Sequence, residues 1–207
     1  MSKYTLHYFG GFNGRPVIIR AILSYVKADW HNNFISHQDR PKIKKSGLCE
    51  YEQLPVLEVN GKKYCENHAI ILYLAETYNL LGKNPEENYE ILNVLMAYDD
   101  YMTPIWNALL CQDQEKRKEL LKAAENKVKF FIAKFEKKYV DHGKGKYFLG
   151  KEFNLADIVI GSAIPAAIIT LGYKDFPFKE IAPNLDKFIQ SLKENELKEF
   201  HEKYFFK

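Results

Sequence analysis

Three short segments of this 207-residue chain combine residue types that could do chemistry. In Tyr8-Phe9-Gly10-Gly11 a β-type run ends in a tyrosine and enters a glycine loop, which puts a phenol at the carboxyl end of a strand, where α/β folds place their ligands. A phenol there can donate a hydrogen bond to an anion, or it can simply fill the core. In Gln53-Leu54-Pro55-Val56 a proline opens a strand. Proline is tolerated at a strand start; a cis Leu54-Pro55 bond would also turn the Leu54 N–H and C=O outward, as an edge to which a peptide can pair. In Glu66-Asn67-His68-Ala69-Ile70, Asn67 suits the N-cap of the helix that follows. A helix N-terminus in a pocket also attracts a carboxylate, through its unsatisfied N–H groups and its dipole.

Other chemistries leave no mark. His7, His31, His37, His68, His142 and His201 are scattered, and Gly10-Gly11-Phe12-Asn13-Gly14 lacks the spacing of a phosphate loop. Cys49, Cys65 and Cys111 are widely spaced, with no CxxC and no cluster at metal-ligand spacing, so we expect reduced thiols in a cytoplasm, no metal and no thioredoxin-type dithiol chemistry.

The elements that must position these segments follow from periodicity. Tyr4 to Phe9 reads as a strand, Arg15 to Tyr25 as a helix and Asn33 to Ile35 as a short strand, a βαβ unit. Pro55 to Val59 and Lys62 to Cys65 flank Asn60-Gly61, which supplies the positive φ angles of a two-residue hairpin turn. A helix follows from Ala69. After the turn-rich Leu80-Leu-Gly-Lys-Asn-Pro85 all strand signals cease, and amphipathic helical spacing takes over, as in Leu120, Leu121, Ala124, Val128, Phe131, Ile132 and Phe135. The expectation is an α/β thioredoxin-like domain over residues 1–81 and an all-helical domain over 88–207, with Pro104 ending or kinking its first helix.

Composition agrees with a folded protein of this size and narrows its partners. Hydrophobic residues make up 46% and charged residues 28%, with 11 Gly and 8 Pro, which excludes disordered and low-complexity classes. Lys and Arg number 30 against 27 Asp and Glu, too small an excess to drive nucleic-acid or membrane binding by charge. The start has no apolar signal core. The longest uncharged run, Ile158 to Tyr173, is shorter than the roughly 20 residues of a spanning helix.

Taken together, Tyr-Phe at the end of the first strand, the run Leu54-Pro-Val-Leu-Glu-Val-Asn-Gly61, and Glu66-Asn-His-Ala-Ile-Ile-Leu-Tyr-Leu-Ala75 ahead of a helical half resemble the cytosolic glutathione S-transferases over essentially the whole chain. The closest likeness is to the tyrosine-type, sigma-like branch that includes glutathione-dependent prostaglandin D synthases. Tyr4-Thr-Leu-His-Tyr-Phe9, Asp39-Arg-Pro-Lys-Ile-Lys44 and Tyr98-Asp-Asp-Tyr-Met102 carry it. Phe153-Asn-Leu-Ala-Asp157 resembles the family's buried capping motif, a folding element.

The resemblance implies an enzyme that uses glutathione as co-substrate, with no permanently bound cofactor, to conjugate or isomerise small hydrophobic electrophiles or to reduce peroxides. Tyr8 would donate to the glutathione sulfur, with Arg15 bracing its loop. Gln53, Leu54 and Pro55 would hold the cysteinyl and glycyl parts, Glu66 and Asn67 the γ-glutamyl end, and Lys44 and Arg40 the glycyl carboxylate. Asp100 would reach that ligand across a homodimer interface. Phe9, Phe12, Tyr101, Met102 and Trp106 would line the electrophile cleft. The chain departs from the family pattern in the lengthened Tyr8 to Arg15 loop, in Pro16, in Arg40 for tryptophan and in Asn67 for serine. These departures sustain a second reading, a catalytically weak binding or structural protein of S-crystallin type.

Overall fold

The structure, a computed structural model, describes residues 3–10, 14–172 and 176–204, apart from the side chains of residues 37, 40 and 44. The chain forms two compact units, Met1–Asn79 with Glu199–Lys207, and Leu80–Lys198.

The first unit is a four-stranded mixed sheet with helices. Strands β1 (Lys3–Phe9), β2 (Asp29–Ile35), β3 (Val56–Val59) and β4 (Lys62–Cys65) lie in the order β2-β1-β3-β4. The β1/β2 pair is parallel, joined by helix α1 (Val17–Tyr25), and the other two pairs are antiparallel. Alternation along β1 turns Tyr4, Leu6 and Tyr8 to one face, where Leu57 and Val59 continue the layer. Helix α1 contributes Val17, Ile18, Ala21 and Ile22 to the core and packs against α3 (Asn67–Thr77). Asn60 and Gly61 both adopt positive φ, 50° and 85°, as the hairpin requires. Strand β2 begins four residues earlier than the sequence pattern indicates, because Trp30 and Asn32 gain their β character from pairing with Tyr4 and Leu6. A short helix, α2 (Arg40–Lys45), follows a 3₁₀ turn at His37–Asp39. Its single apolar residue, Ile43, gives no periodicity to read.

The second unit is helical: α4 (Pro85–Leu110), α5 (Gln114–Asp141), α6 (Leu155–Leu171), α7 (Phe178–Ile181) and α8 (Pro183–Glu194). Pro104 neither ends α4 nor prevents its continuation to Leu110. The buried Ile105 and Ala108 beyond it outweigh the lost backbone bond. Helix α6 is buried almost throughout and starts with the expected capping motif. Asn154 accepts from the Ala156 N–H at 2.9 Å, and Asp157 accepts from the Asn154 and Phe148 N–H groups at 2.8 and 2.7 Å. A Cβ at Gly161 would lie 2.5 Å from Leu197 Cδ1 and 2.9 Å from Leu192 Cδ1, so both leucines would have to shift to admit it. The last helix, α9 (Lys198–Tyr204), returns almost entirely to the first unit, where Tyr204 stacks on Trp30 at 5.7 Å.

Candidate active site

The strand register gathers the three chemical segments at one end of the sheet. His7 pairs with Val56, and Val56 with Cys65. The carboxyl end of β1, the start of β3 and the end of β4 are therefore neighbours, and Tyr8, Leu54-Pro55 and Glu66-Asn67 sit on that edge. The Leu54-Pro55 bond is cis, as the sequence segment suggests.

Tyr8 is buried, with its ring edge-on to Phe9 at 5.5 Å. Its hydroxyl oxygen accepts from the Arg15 backbone N–H at 3.3 Å. Arg15 therefore braces Tyr8 through its amide, while its guanidinium side of the residue is exposed. Pro16 does not interrupt a helix: it is the N-cap residue of α1, with φ −81°, and its carbonyl accepts the Arg20 N–H at 3.0 Å. Burial raises the Tyr8 phenol above its ordinary value, opposed by the Arg15 N–H and by the charges of Arg15 and Arg20. The phenol is protonated at neutral pH, and a protonated phenol can donate a hydrogen bond to an anion.

Arg20 is a buried neighbour of Tyr8 that the motifs do not point to. It is 1% exposed, with Nε donating to Asn32 Oδ1 at 3.1 Å and its guanidinium carbon 5.8 Å from the Tyr8 ring centroid and 6.0 Å from that of Tyr204. Burial pulls its pKa down to about 10, so it is charged at neutral pH. The signal was available: one arginine within Val17-Ile-Ile-Arg-Ala-Ile-Leu23 must find partners if the helix is buried. Tyr204 had none, since its place beside Asn32 and Arg20 depends on α9 coming back to the sheet.

At the third segment the structure corrects one detail. Asn67 is the first residue of α3, and Glu66 is its N-cap, without a side-chain capping bond. Glu66 has φ 68° and ψ 116°, a strained conformation for a residue with a Cβ, of the kind that concentrates at functional sites. Its side chain is exposed. Asn67 is 7% exposed, and neither its Nδ2 nor its Oδ1 has a hydrogen-bond partner among the described residues. A buried donor and acceptor side by side at a helix N-terminus, with a carboxylate one residue before, match a ligand end that carries both a carboxylate and an ammonium group. Gln53 is exposed and Leu54 half-buried on the approach to β3.

The remaining expected site residues are placed as follows. Phe9 is half-buried beside Tyr8. Phe12, and the side chains of Arg40 and Lys44, lie outside the described residues. In the helical unit, Asp100 is exposed and Trp106 half-buried on α4. Tyr101 and Met102 do not line a cleft: they are 2% and 1% exposed, and Tyr101 packs among Tyr98, Phe131 and Phe135. They stand on the inward face of α4, which carries Val94, Leu95, Tyr98 and Ile105 to the helical core. No group of acids, histidines and cysteines able to hold a metal occurs among the described residues.

Residues 4–76 match the family model described as Glutathione S-transferase, N-terminal domain, and residues 99–203 the one described as Glutathione S-transferase, C-terminal domain. The chain is similar to Glutathione S-transferase A1 of Bos taurus, 32% identical over 76% of this chain and 70% of the relative. Among solved structures it is similar to prostaglandin synthase D of Nilaparvata lugens, with a TM-score of 0.82 and 27% identity over 97% of this chain and 98% of that one. It is also similar to monomeric Na-GST-3 of the hookworm Necator americanus, with a TM-score of 0.75 and 27% identity over 97% and 96%.

The unpartnered Asn67 amide has a measurable consequence without any ligand. Leaving a buried amide unsatisfied costs about 1 to 3 kcal/mol. Asn67→Ala should therefore raise the stability of the chain, by about 1 kcal/mol in urea unfolding followed by circular dichroism, where an ordinary buried side chain truncated to alanine loses stability. A loss of stability would mean that the Asn67 amide is satisfied within the folded chain.

Proposed function

From the premise that the chain belongs to the glutathione S-transferase family and is a glutathione transferase, we propose that its first unit binds glutathione with the thiol against the Tyr8 hydroxyl. The observation that carries this reading is the Arg15 N–H bond to the Tyr8 oxygen, which orients a protonated phenol as donor. The γ-glutamyl end lies at α3, its carboxylate on Asn67 Nδ2 and the first N–H groups of the helix, its ammonium on Glu66. The peptide part pairs with Leu54, flanked by Gln53 and Pro55, and the glycyl carboxylate meets Lys44 and Arg40.

The magnitude is sufficient. A thiol of pKa near 8.5 is only about 3% thiolate at pH 7. One hydrogen bond to a charged acceptor is worth roughly 1.5 to 3 kcal/mol, or about one to two pKa units. A single phenol therefore brings about a quarter to three quarters of the bound thiol to thiolate at pH 7, and holding it beside an electrophile supplies the rest. Phe9, Phe12 and Trp106 are the proposed apolar contacts of that electrophile. Conjugation is the reaction proposed, with isomerisation or peroxide reduction at the same thiolate as further uses. Assignment to the tyrosine-type, sigma-like branch is supported by the motifs around Tyr8, Asp39 and Tyr98 and by the likeness to the Nilaparvata lugens structure. The proposed glutathione domain is 1–81 and the proposed electrophile and dimer domain 88–207. A cytoplasmic location is proposed from the three widely spaced thiols, and no nucleic-acid or membrane partner is proposed from the near balance of charge.

A homodimer is proposed from α4, where Tyr89, Asn93, Met96 and Asp100 recur on one outward stripe, Tyr89 and Met96 being 65% and 46% exposed. A second copy covering that stripe would bring Asp100 to the partner's ligand. Since the Necator americanus relative is monomeric, mass decides the matter. Light scattering at micromolar concentration should return twice the mass of one chain, and a single-chain mass with full activity would contradict the dimer and the Asp100 role.

Tyr8→Phe removes the hydroxyl and keeps the ring. Conjugation of a chlorodinitrobenzene near neutral pH should fall roughly ten- to hundredfold, with the glutathione KM little changed. The deficit should shrink as pH rises and the thiolate forms unaided. An unchanged rate and pH profile would place the donor elsewhere, such as a backbone N–H or Asn13 of the loop.

A further inference from the structure

The last helix of the chain reaches Tyr8 through one buried cation. Along the parallel β1/β2 ladder Trp30 and Asn32 are paired with Tyr4 and Leu6, so they share the face on which Tyr8 stands. Helix α9 docks there on Trp30: the Tyr204 ring stacks on the indole at 5.7 Å, and Lys203 Nζ is 5.5 Å from the indole centroid. Phe200, one turn back along α9, packs on Tyr204 at 5.6 Å. The Arg20 guanidinium carbon is then 6.0 Å from the Tyr204 ring centroid and 5.8 Å from that of Tyr8, while Arg20 Nε donates to Asn32 Oδ1 at 3.1 Å. One series of contacts therefore runs from α9 through Arg20 to the phenol of Tyr8.

Packing alone does not require a cation at this position. A guanidinium that is 1% exposed has lost nearly all its water, and a methionine would fill similar space without that loss. What a charge adds is a field. In surroundings less polarisable than water, a cation beside the Tyr8 ring attracts the negative charge that builds on the phenol oxygen as its proton is shared with an anion. The partner that holds the cation matters for the same reason. Tyr204 is a phenol pushed up to about 12, chiefly by burial, so it offers Arg20 a neutral aromatic face. A carboxylate in its place would also hold the guanidinium, but would cancel its field at Tyr8. Of the charged groups around this set, Arg15 on the loop acts on Tyr8 together with Arg20, Glu199 of α9 acts on Tyr204, and Lys203 is 5.6 Å from the Tyr204 ring centroid.

We propose that Arg20 and Tyr204 are positioning residues for the reaction: Tyr204 holds the Arg20 cation against the Tyr8 ring, and the cation strengthens the Tyr8 hydroxyl as donor to the glutathione thiolate. This rests on the donor role proposed for Tyr8 above. The C-terminal helix thereby sets the reactivity of a thiol that neither Arg20 nor Tyr204 needs to touch. Both act through Tyr8, so their removal changes how readily the bound thiol ionises and leaves the affinity for glutathione nearly as it was.

The test compares full-length native protein with Arg20→Met, Tyr204→Leu, Tyr204→Phe and Tyr8→Phe, reading the absorbance titration of bound glutathione and the pH profile of kcat with chlorodinitrobenzene. Arg20→Met should raise the titration midpoint by about half to one pH unit and lower kcat near neutral pH about three- to tenfold. The loss should vanish at high pH, with the glutathione KM within about twofold of native. Tyr204→Leu should shift both readings the same way by a smaller amount, about two- to threefold in kcat, and Tyr204→Phe, which keeps the ring, should match the native protein. Combining Arg20→Met with Tyr204→Leu should give no more than Arg20→Met alone, since Tyr204 acts through the cation. A purely structural role would lower stability and leave the profile unmoved. That result for Arg20→Met, or for Tyr204→Leu whether or not Arg20→Met folds, would overturn the proposal while a shifted Tyr8→Phe left the donor standing. Unmoved readings in Tyr8→Phe would instead overturn the donor itself, and this proposal with it.

Discussion

The hydrogen bond from the Arg15 N–H to the Tyr8 oxygen, 3.3 Å long, is the constraint around which the first unit is organised. It makes the phenol oxygen an acceptor toward the chain, the arrangement that the proposed donation to a bound sulfur requires. To make that bond the loop after β1 must bring residue 15 back over the strand end. Pro16 then fixes the entry into α1, and Arg20, one turn on, comes under the Tyr8 ring. The charge of the buried Arg20, 5.8 Å from the Tyr8 ring centroid, opposes the rise that burial imposes on the phenol pKa. Asn32 and Tyr204 hold the cation in turn.

The sheet supplies the second constraint. The short Asn60-Gly61 turn forces β4 to end beside the start of β3, so the helix N-terminus at Asn67 arrives on the edge where Tyr8 projects. An amide buried there without a partner among the described residues is a cost that folding alone does not explain. The proposed recognition of a zwitterionic ligand end would account for it, and for the strained Glu66 beside it. The chain thus separates its tasks: apolar residues of α1, α3 and β1 fold the unit, and the few polar groups left on one edge are those proposed to hold the ligand.

Much of this could be read before any coordinates. The Asn-Gly hairpin, the βαβ start, the cis proline segment and the Asn154/Asp157 cap are local signals, each settled by residues within a few positions of one another. What could not be read depends on contacts distant in sequence. Strand β2 is longer than its composition suggests because β1 pairs with it, and α4 runs through Pro104 because its far end is buried. Tyr101 and Met102 lie on the inward face of α4, and aromatic type alone cannot tell a core face from a cleft. Asn67 was legible as a polar residue at a helix start, but its burial inside the first turn was not.

The central claim is that one phenol hydrogen bond sets the ionisation of bound glutathione. It is tested most directly by titrating the ultraviolet absorbance of the bound thiolate in the native protein and in Tyr8→Phe. The native complex should titrate well below the free thiol, and the variant about one to two pH units above the native complex. Superimposable titration curves for the two proteins would contradict the claim, whatever their rates of turnover.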